Sequence, residues 1–188
     1  MKKIFIIEHL EQKLWPWCLI EYKNISKIVG KNNLWFTNIK KQDEKKLKKY
    51  GKVMNKSVKN LKLNNPRILD PNAKKLLKTK ETKNFNYFIF GGILGDNPPR
   101  KRTKTELTKF LKKYKKRNLG KDQFSTDSAV FVVNEIIKGK EISEIKFQNS
   151  IEIKINKIES TILPYKYPLK NNKPIISKEL INYVKILN

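Results

Sequence analysis

Apolar residues fall into two patterns along the chain: short continuous runs, and stripes spaced three and four residues apart. KIFIIEH (3–9), LWFTNI (34–39), RILDP (67–71) and the run Tyr87, Phe88, Ile89, Phe90 are of the first kind. Such runs predict strands buried on both faces. Cys18, Leu19, Tyr22, Ile25, Ile28 and Val29 are of the second kind. They predict a helix that starts at Trp15-Pro16-Trp17, with proline in its first turn, and stops at Gly30. Leu107, Phe110, Leu111 and Tyr114 predict another helix, with Thr103 and Glu106 at capping-box spacing. Ala129, Val132, Val133, Ile136 and Ile137 predict a third, with N-cap oxygens from Ser125, Thr126 and Asp127 and a stop at Gly139. Ser177 precedes a last stripe of Leu180, Val184 and Leu187.

Between these lie a lysine-rich stretch (40–62) that reads as solvated helix and loop, and a short strand or turn from Arg117 to Gly120. An alternating segment, IEIKI (151–155), predicts a half-exposed strand, and a proline-punctuated extended arm follows. The order is β-α-β-α-β-β-α-β-α with a mixed tail. It predicts an α/β fold, a mostly parallel sheet with helices on both faces. The 188 residues suit one domain, 1–188, and no internal repeat or linker divides them.

The stretch from Asn86 to Thr103 carries the first sign of chemistry. A buried strand runs into Gly91-Gly92, turns through Gly95, Asp96 and Pro98-Pro99, and ends on Arg100 and Arg102. Glycines let a backbone approach a ligand closely, and the carboxyl end of a strand is where α/β proteins build sites. G-G-x-x-G is also ordinary turn chemistry. A second glycine loop, 118–120, lies in the same half of the chain, and the two can converge on one ligand. Neither G-x-G-x-x-G after the first strand nor G-x-x-x-x-G-K-[ST] occurs.

The net charge is +26, from 43 basic and 17 acidic residues, which predicts an anionic partner such as RNA or a ribosomal surface. Most of the basic residues are lysine, and a coding bias toward lysine, asparagine and isoleucine accounts for part of that charge. Only Arg67, Arg100, Arg102 and Arg117 are arginine, and three of them flank the glycine loops. A planar guanidinium binds carboxylate or phosphate in a way lysine cannot. One cysteine, Cys18, excludes an intramolecular disulfide, and one histidine, His9, makes a zinc site improbable. The apolar run after Met1-Lys2-Lys3 is cut by Glu8 and His9, too early for a secretory core, and no segment approaches membrane-spanning length. A soluble, cytoplasmic protein without membrane or metal partners is expected.

IIEHLE (6–11), ILDP (68–71), YFIFGGILGDNPPRKRTKTEL (87–107) and RNLGKDQFSTDSAV (117–130) together resemble a SPOUT-class methyltransferase family. Glu159, Pro164, Tyr167 and Lys173-Pro174 extend the likeness over nearly the whole chain. That family includes a yeast arginine methyltransferase acting on a ribosomal protein, and archaeal relatives described as RNA methyltransferases. Extra lysines, and Phe124 where a methionine is familiar, depart from its pattern. The resemblance implies a trefoil knot at about 86–140, followed by an arm and helix at about 147–188. It implies S-adenosylmethionine as cofactor, held by Phe90, Gly91, Gly92, Leu94, Gly95 and Asp96 from one loop. The second loop would contribute Arg117, Asn118, Leu119, Gly120, Gln123, Phe124, Ser125 and Thr126.

For the acceptor, Glu8 and Glu11 follow the first strand, Asp70 the third, and Asp96 the glycine loop. If the strands are parallel neighbours, these carboxylates share one sheet edge and can bind a guanidinium and take its proton. Each also has a structural reading: Glu8 or Glu11 as a cap of the Trp15 helix, Asp70 as a partner of its own turn. Arg100 stands with Glu8, Glu11 and Asp70 as a candidate for the chemistry, and Arg102 and Trp15 as candidates for substrate binding. The arginines have their own alternative, pairing with Asp96 or Glu106 to hold the loop shut. The readings are thus methyl transfer to an arginine of a ribosomal protein, methylation of rRNA or tRNA, or a non-catalytic RNA-binding knot. A homodimer is possible, although like charge opposes self-association.

Overall fold

The computed structural model describes residues 2–187. Six parallel strands form the central sheet: β1 (Ile4–His9), β2 (Leu34–Thr37), β3 (Lys52–Val53), β4 (Pro66–Leu69), β5 (Tyr87–Gly92) and β6 (Lys115–Arg117). Their order across the sheet is β3-β2-β1-β5-β4-β6. The central strand β1 is buried along its whole length, as its unbroken apolar run predicts.

Successive side chains of a strand point to opposite faces, so each strand supplies two cores. Phe5, Ile7, Phe88 and Phe90 face one side, where Phe5 stacks on Phe88 and Phe90 with ring centroids 5.9 and 6.3 Å apart. Helices α1 (Pro16–Val29) and α4 (Thr126–Ile137) cover that side. Pro16 occupies the first turn of α1, and Gly30 ends it at φ 79° while donating its N–H to the Ser26 carbonyl. Each fully buried Phe or Ile here contributes roughly 1.5–3 kcal/mol. Ile4, Ile6, Ile68 and Ile89 face the other side and meet Val58, Leu107 and Leu111.

That second face is covered differently from what periodicity predicts. A full helix over 103–114 is replaced by a π-helical turn, Thr103–Leu107, and a 3-10 turn, Thr108–Phe110. The capping box does not form: Glu106 turns instead to Arg102, and Phe110 is exposed while Leu107 and Leu111 are buried. The lysine-rich stretch from 40 to 62 also holds more than a solvated helix. It contains the short helix α2 (Glu44–Leu47), the edge strand β3, and buried Leu47 and Val58. A further turn of helix, α3 (Thr79–Thr82), precedes β5.

The proline-rich tail is paired rather than simply extended. β7 (Phe147–Gln148), β10 (Tyr167–Lys170) and β11 (Lys173–Pro174) form one small sheet, in the order β11-β10-β7. β8 (Ile151–Lys154) and β9 (Ser160–Leu163) pair as an antiparallel hairpin, which explains the alternating burial of β8. Helix α5 (Lys178–Leu187) closes the chain, with Val184 packed into the cluster of Ile151, Ile153, Leu163 and Tyr167.

Candidate active site

Strands β1, β5 and β4 are parallel neighbours, so the loops that leave them emerge at one edge of the sheet. The loop after β5 and the loop between β6 and α4 meet there around a cavity of about 780 Å³, including its open mouth. Of the residues implied for the cofactor, Phe90, Gly91, Leu94, Gly95 and Asp96 line it from the first loop. Arg117, Asn118, Leu119, Gly120, Gln123, Phe124 and Thr126 line it from the second. Asp70, Arg100 and Arg102 border the same space.

Two of the implied residues stand elsewhere. Gly92 does not line the cavity; a Cβ there would lie 2.1 Å from the Tyr22 hydroxyl. Its glycine is required by packing under α1, where Tyr22 also bonds His9 Nδ1 at 2.9 Å. Ser125 is the N-cap residue of α4, but its hydroxyl bonds Asp127 Oδ1 (2.7 Å) and Ser128 Oγ (2.8 Å). It faces a second, smaller cavity.

The acidic cluster expected at the sheet edge is divided among separate partners. Glu8 is fully buried and accepts bonds from Thr37 Oγ1 (2.5 Å), the Ser57 hydroxyl and the Val58 N–H (2.9 Å). It ties β1 to β2 and to the 3-10 turn Val58–Asn60, and does not reach the cavity. Glu11 accepts from Arg102 Nη1 (2.7 Å) and from the Leu94 N–H (2.9 Å), so it anchors the glycine loop from outside the cavity. Asp70 accepts from the Asn72 N–H at 2.8 Å, the local turn bond, while still lining the cavity. Trp15 is the N-cap residue of α1, away from the cavity, with Lys13 Nζ 5.4 Å from its ring centroid.

The arginines divide in the same way. Arg102 donates to Glu11 and Glu106, each at 2.7 Å, and these bonds hold its guanidinium firmly protonated. Arg117 forms a two-pronged pair with Glu81 of α3. Arg67 lies over the Phe85 ring at 3.5 Å. Arg100 is different: its side chain is 79 % exposed, its carboxylate contact is Asp96 at 4.0 Å, and it stands at the cavity wall.

The C-terminal tail completes the site, which sequence periodicity did not suggest. The Tyr165 hydroxyl donates to the Gly95 carbonyl at 3.1 Å, and the Lys166 N–H to the Gln123 carbonyl at 2.8 Å. Gln123 Nε2 donates to the Asp96 carbonyl at 3.3 Å, joining the two loops. Phe124 stacks edge-on against Phe147 at 5.6 Å. The smaller cavity, about 460 Å³, lies beside the first and shares Leu94 and Gly95 with it. Trp17, Glu21, Ser125 and Tyr165 form its other walls.

Glu21 is buried in α1, and burial with the nearby Asp127 charge pushes its carboxyl up to about 8. Asp127, also buried, is raised as well. The signal for Glu21 was its place on the buried side of the helix, four residues after Trp17 and three after Cys18. Cys18 itself is buried and its thiol is pushed up to about 12 by that burial, in keeping with a packing role.

The donor set of the larger cavity fits S-adenosylmethionine. Phe90, Leu94, Leu119 and Phe124 offer apolar walls for a flat base. At Gly120, φ is 112° and the Cβ side is open, so a ligand can approach the backbone. Asp70 and Asp122 offer acceptors for hydroxyl or ammonium groups, and Arg100 offers a cation for a carboxylate.

Comparison with known proteins agrees with this geometry. Residues 4–186 match the family described as protein arginine N-methyltransferase SFM1-like. The chain is 35% identical to protein arginine N-methyltransferase SFM1 of Saccharomyces cerevisiae, over 96% of this chain and 93% of the yeast protein. It superposes on the yeast enzyme complexed with S-adenosylmethionine with a TM-score of 0.89, at 34% identity, covering 99% of this chain and 91% of that one. The complex with S-adenosylhomocysteine gives 0.88 at 33% identity, covering 96% and 94%. The dual specific Trm10 of Thermococcus kodakaraensis shares the fold, with a TM-score of 0.64 at 16% identity over 76% of this chain and 96% of that one. The chain therefore belongs to the SFM1-like family of protein arginine N-methyltransferases.

Proposed function

We propose that this protein transfers the methyl group of S-adenosylmethionine to an arginine side chain of a protein associated with the ribosome, in the cytoplasm. The observation that carries the reading is the convergence of the two glycine-bearing loops on one cavity, in a chain aligned end to end with the yeast enzyme. The course of residues 86–140 is consistent with the trefoil knot that the resemblance implies.

When bound, the cofactor supplies a methyl already activated on a sulfonium sulfur. The chain's own residues have three tasks. Phe90, Leu94, Leu119 and Phe124 exclude water around the base. Arg100 holds the cofactor's carboxylate by charge, and Asp70 or Asp122 accepts from its hydroxyl groups. Arg102 and Glu11 keep the loop shaped, through bonds at 2.7 Å and from Glu11 to the Leu94 N–H at 2.9 Å. Holding donor and acceptor in a near-attack arrangement can supply roughly 7–11 kcal/mol of barrier lowering. Glu8 has no place in the chemistry, since its carboxylate is committed to Thr37, Ser57 and Val58.

The net charge of +26 favours an acceptor presented on an anionic surface, and it also supports a second reading, methylation of RNA. One experiment separates them. Ribosomes from cells lacking the enzyme are incubated with methyl-labelled S-adenosylmethionine and treated with protease or RNase. Label released by protease and retained after RNase, recovered as methylarginine, supports the protein acceptor. The reverse pattern moves the acceptor to RNA, and no transferred label removes the enzymatic reading.

A further inference from the structure

Glu21 and Asp127 are buried carboxyls whose charges bear on one another, in a chain with 43 basic residues. Among the described residues neither has an ion-pair partner. Glu21 accepts from Trp17 Nε1 at 2.9 Å; Asp127 accepts from Asn24 Nδ2 at 2.8 Å and Ser125 Oγ at 2.7 Å. All of these donors are neutral. Buried carboxyls without a cation keep a proton or await a cation. Nearby, the Tyr167 hydroxyl is buried without a hydrogen-bond partner and lies within the field of both carboxyls.

We infer that the cavity bounded by Trp17, Glu21 and Tyr165 is the pocket for the acceptor arginine, with Glu21 binding its guanidinium and taking its proton. This rests on the methyltransferase reading above and deepens it. The pocket shares Leu94 and Gly95 with the cofactor cavity, so a side chain in it approaches the donor from the next compartment. Its walls are an indole and a phenol, which favour a flat cation; guanidinium stacks on such rings better than ammonium does. A guanidinium nitrogen is a poor nucleophile until it loses a proton. As the nitrogen–methyl bond forms and the carbon–sulfur bond breaks, its pair going to sulfur, the nitrogen's proton passes to the Glu21 carboxylate. A carboxyl raised to about 8 is well matched to that exchange near neutral pH. The arriving cation displaces the proton that the pair holds at rest.

The test is calorimetry on the full chain loaded with S-adenosylhomocysteine, using N-acetyl-arginine amide and N-acetyl-lysine amide as probes. The arginine probe is expected to bind at least tenfold more tightly than the lysine probe, with proton release visible as a buffer-dependent enthalpy. Glu21→Gln should weaken the arginine probe at least tenfold while leaving S-adenosylhomocysteine affinity within twofold. Equal affinity of Glu21→Gln and the wild type for the arginine probe overturns the proposal, as does equal binding of the two probes. If Glu21→Gln no longer holds S-adenosylhomocysteine, Trp17→Phe makes the same comparison. Threefold or greater weakening of the arginine probe there supports the pocket, and unchanged affinity overturns it. Failure of the wild type to bind S-adenosylmethionine would instead sink the methyltransferase reading. Binding and transfer intact in the wild type, with Glu21→Gln methylating at the same kcat and KM, would sink this pocket alone.

Discussion

Tyr165 closes over Gly95: its hydroxyl donates to the Gly95 carbonyl at 3.1 Å, and its ring edge lies 2.4 Å from where a Cβ at that position would be. The tail and the glycine loop thus fit together only because residue 95 has no side chain. Gly95→Ala should push the Tyr165 ring and Gln123 outward and lower S-adenosylmethionine affinity at least tenfold. Titration calorimetry checks it, and unchanged affinity would show that the ring moves without consequence.

Gly92 needs its missing side chain for a different reason. Gly92→Ala places a methyl against the Tyr22 hydroxyl, and overpacking of a core costs about 1–3 kcal/mol. Urea denaturation should show that loss, and adding Tyr22→Phe should recover part of it. If the double variant is no more stable than Gly92→Ala, the clash with Tyr22 is not the cause.

Arg102→Lys tests the clamp on the glycine loop. The guanidinium bridges Glu11 and Glu106, and a lysine ammonium cannot reproduce both bonds in that geometry. Losing a hydrogen bond to a charged group costs about 1.5–3 kcal/mol. Hydrogen exchange at the Leu94 amide, which Glu11 holds, should accelerate severalfold relative to the wild type.

Arg100→Ala should leave folding unchanged, since its side chain is 79 % exposed. If it grips the cofactor's carboxylate, affinity for S-adenosylmethionine should fall about tenfold. Affinity for methylthioadenosine, which lacks that carboxylate, should stay the same. A parallel loss for both ligands would assign Arg100 another role.

Glu21 sets a pH dependence of stability. Its folded carboxyl is raised from 4.5 to about 8, by burial first and by Asp127 second, against hydrogen bonds from Trp17 and Thr126 that lower it. The charges of Glu21 and Asp127 also act on Tyr165 and Tyr167 nearby. Between those pH values the folded state holds more protons than the unfolded state, so stability falls as pH rises from about 4.5 through about 8. The Tm of the wild type should therefore drop relative to Glu21→Gln across that window. Curves that run parallel from pH 5 to 9 would contradict it.

Sequence and structure divide unevenly over this chain. The runs at 4–9 and 87–92 were legible as strands because a strand buried on both faces leaves no alternative to apolar residues. The two glycine loops were legible because glycine, proline and arginine are rare enough here to stand out. The turns at 103–110 were not, since Leu107 and Leu111 serve a packed turn as well as a helix. Edge strand β3 was hidden by its lysines, which a solvent-facing edge tolerates.

What the amino-acid order determined alone was local: which segments must be buried, where the backbone must bend, and which family the motifs resemble. Only the tertiary structure decided which carboxylate is available for chemistry. Glu8, Glu11 and Glu21 are the same residue type within one stretch of chain. Glu8 is spent on Thr37, Ser57 and Val58, and Glu11 on Arg102 and Leu94. Glu21 is left facing a cavity walled by Tyr165, 144 positions further along. A carboxyl's role depends on the partners that folding brings to it, and those partners lie too far away in the chain for any local pattern to record.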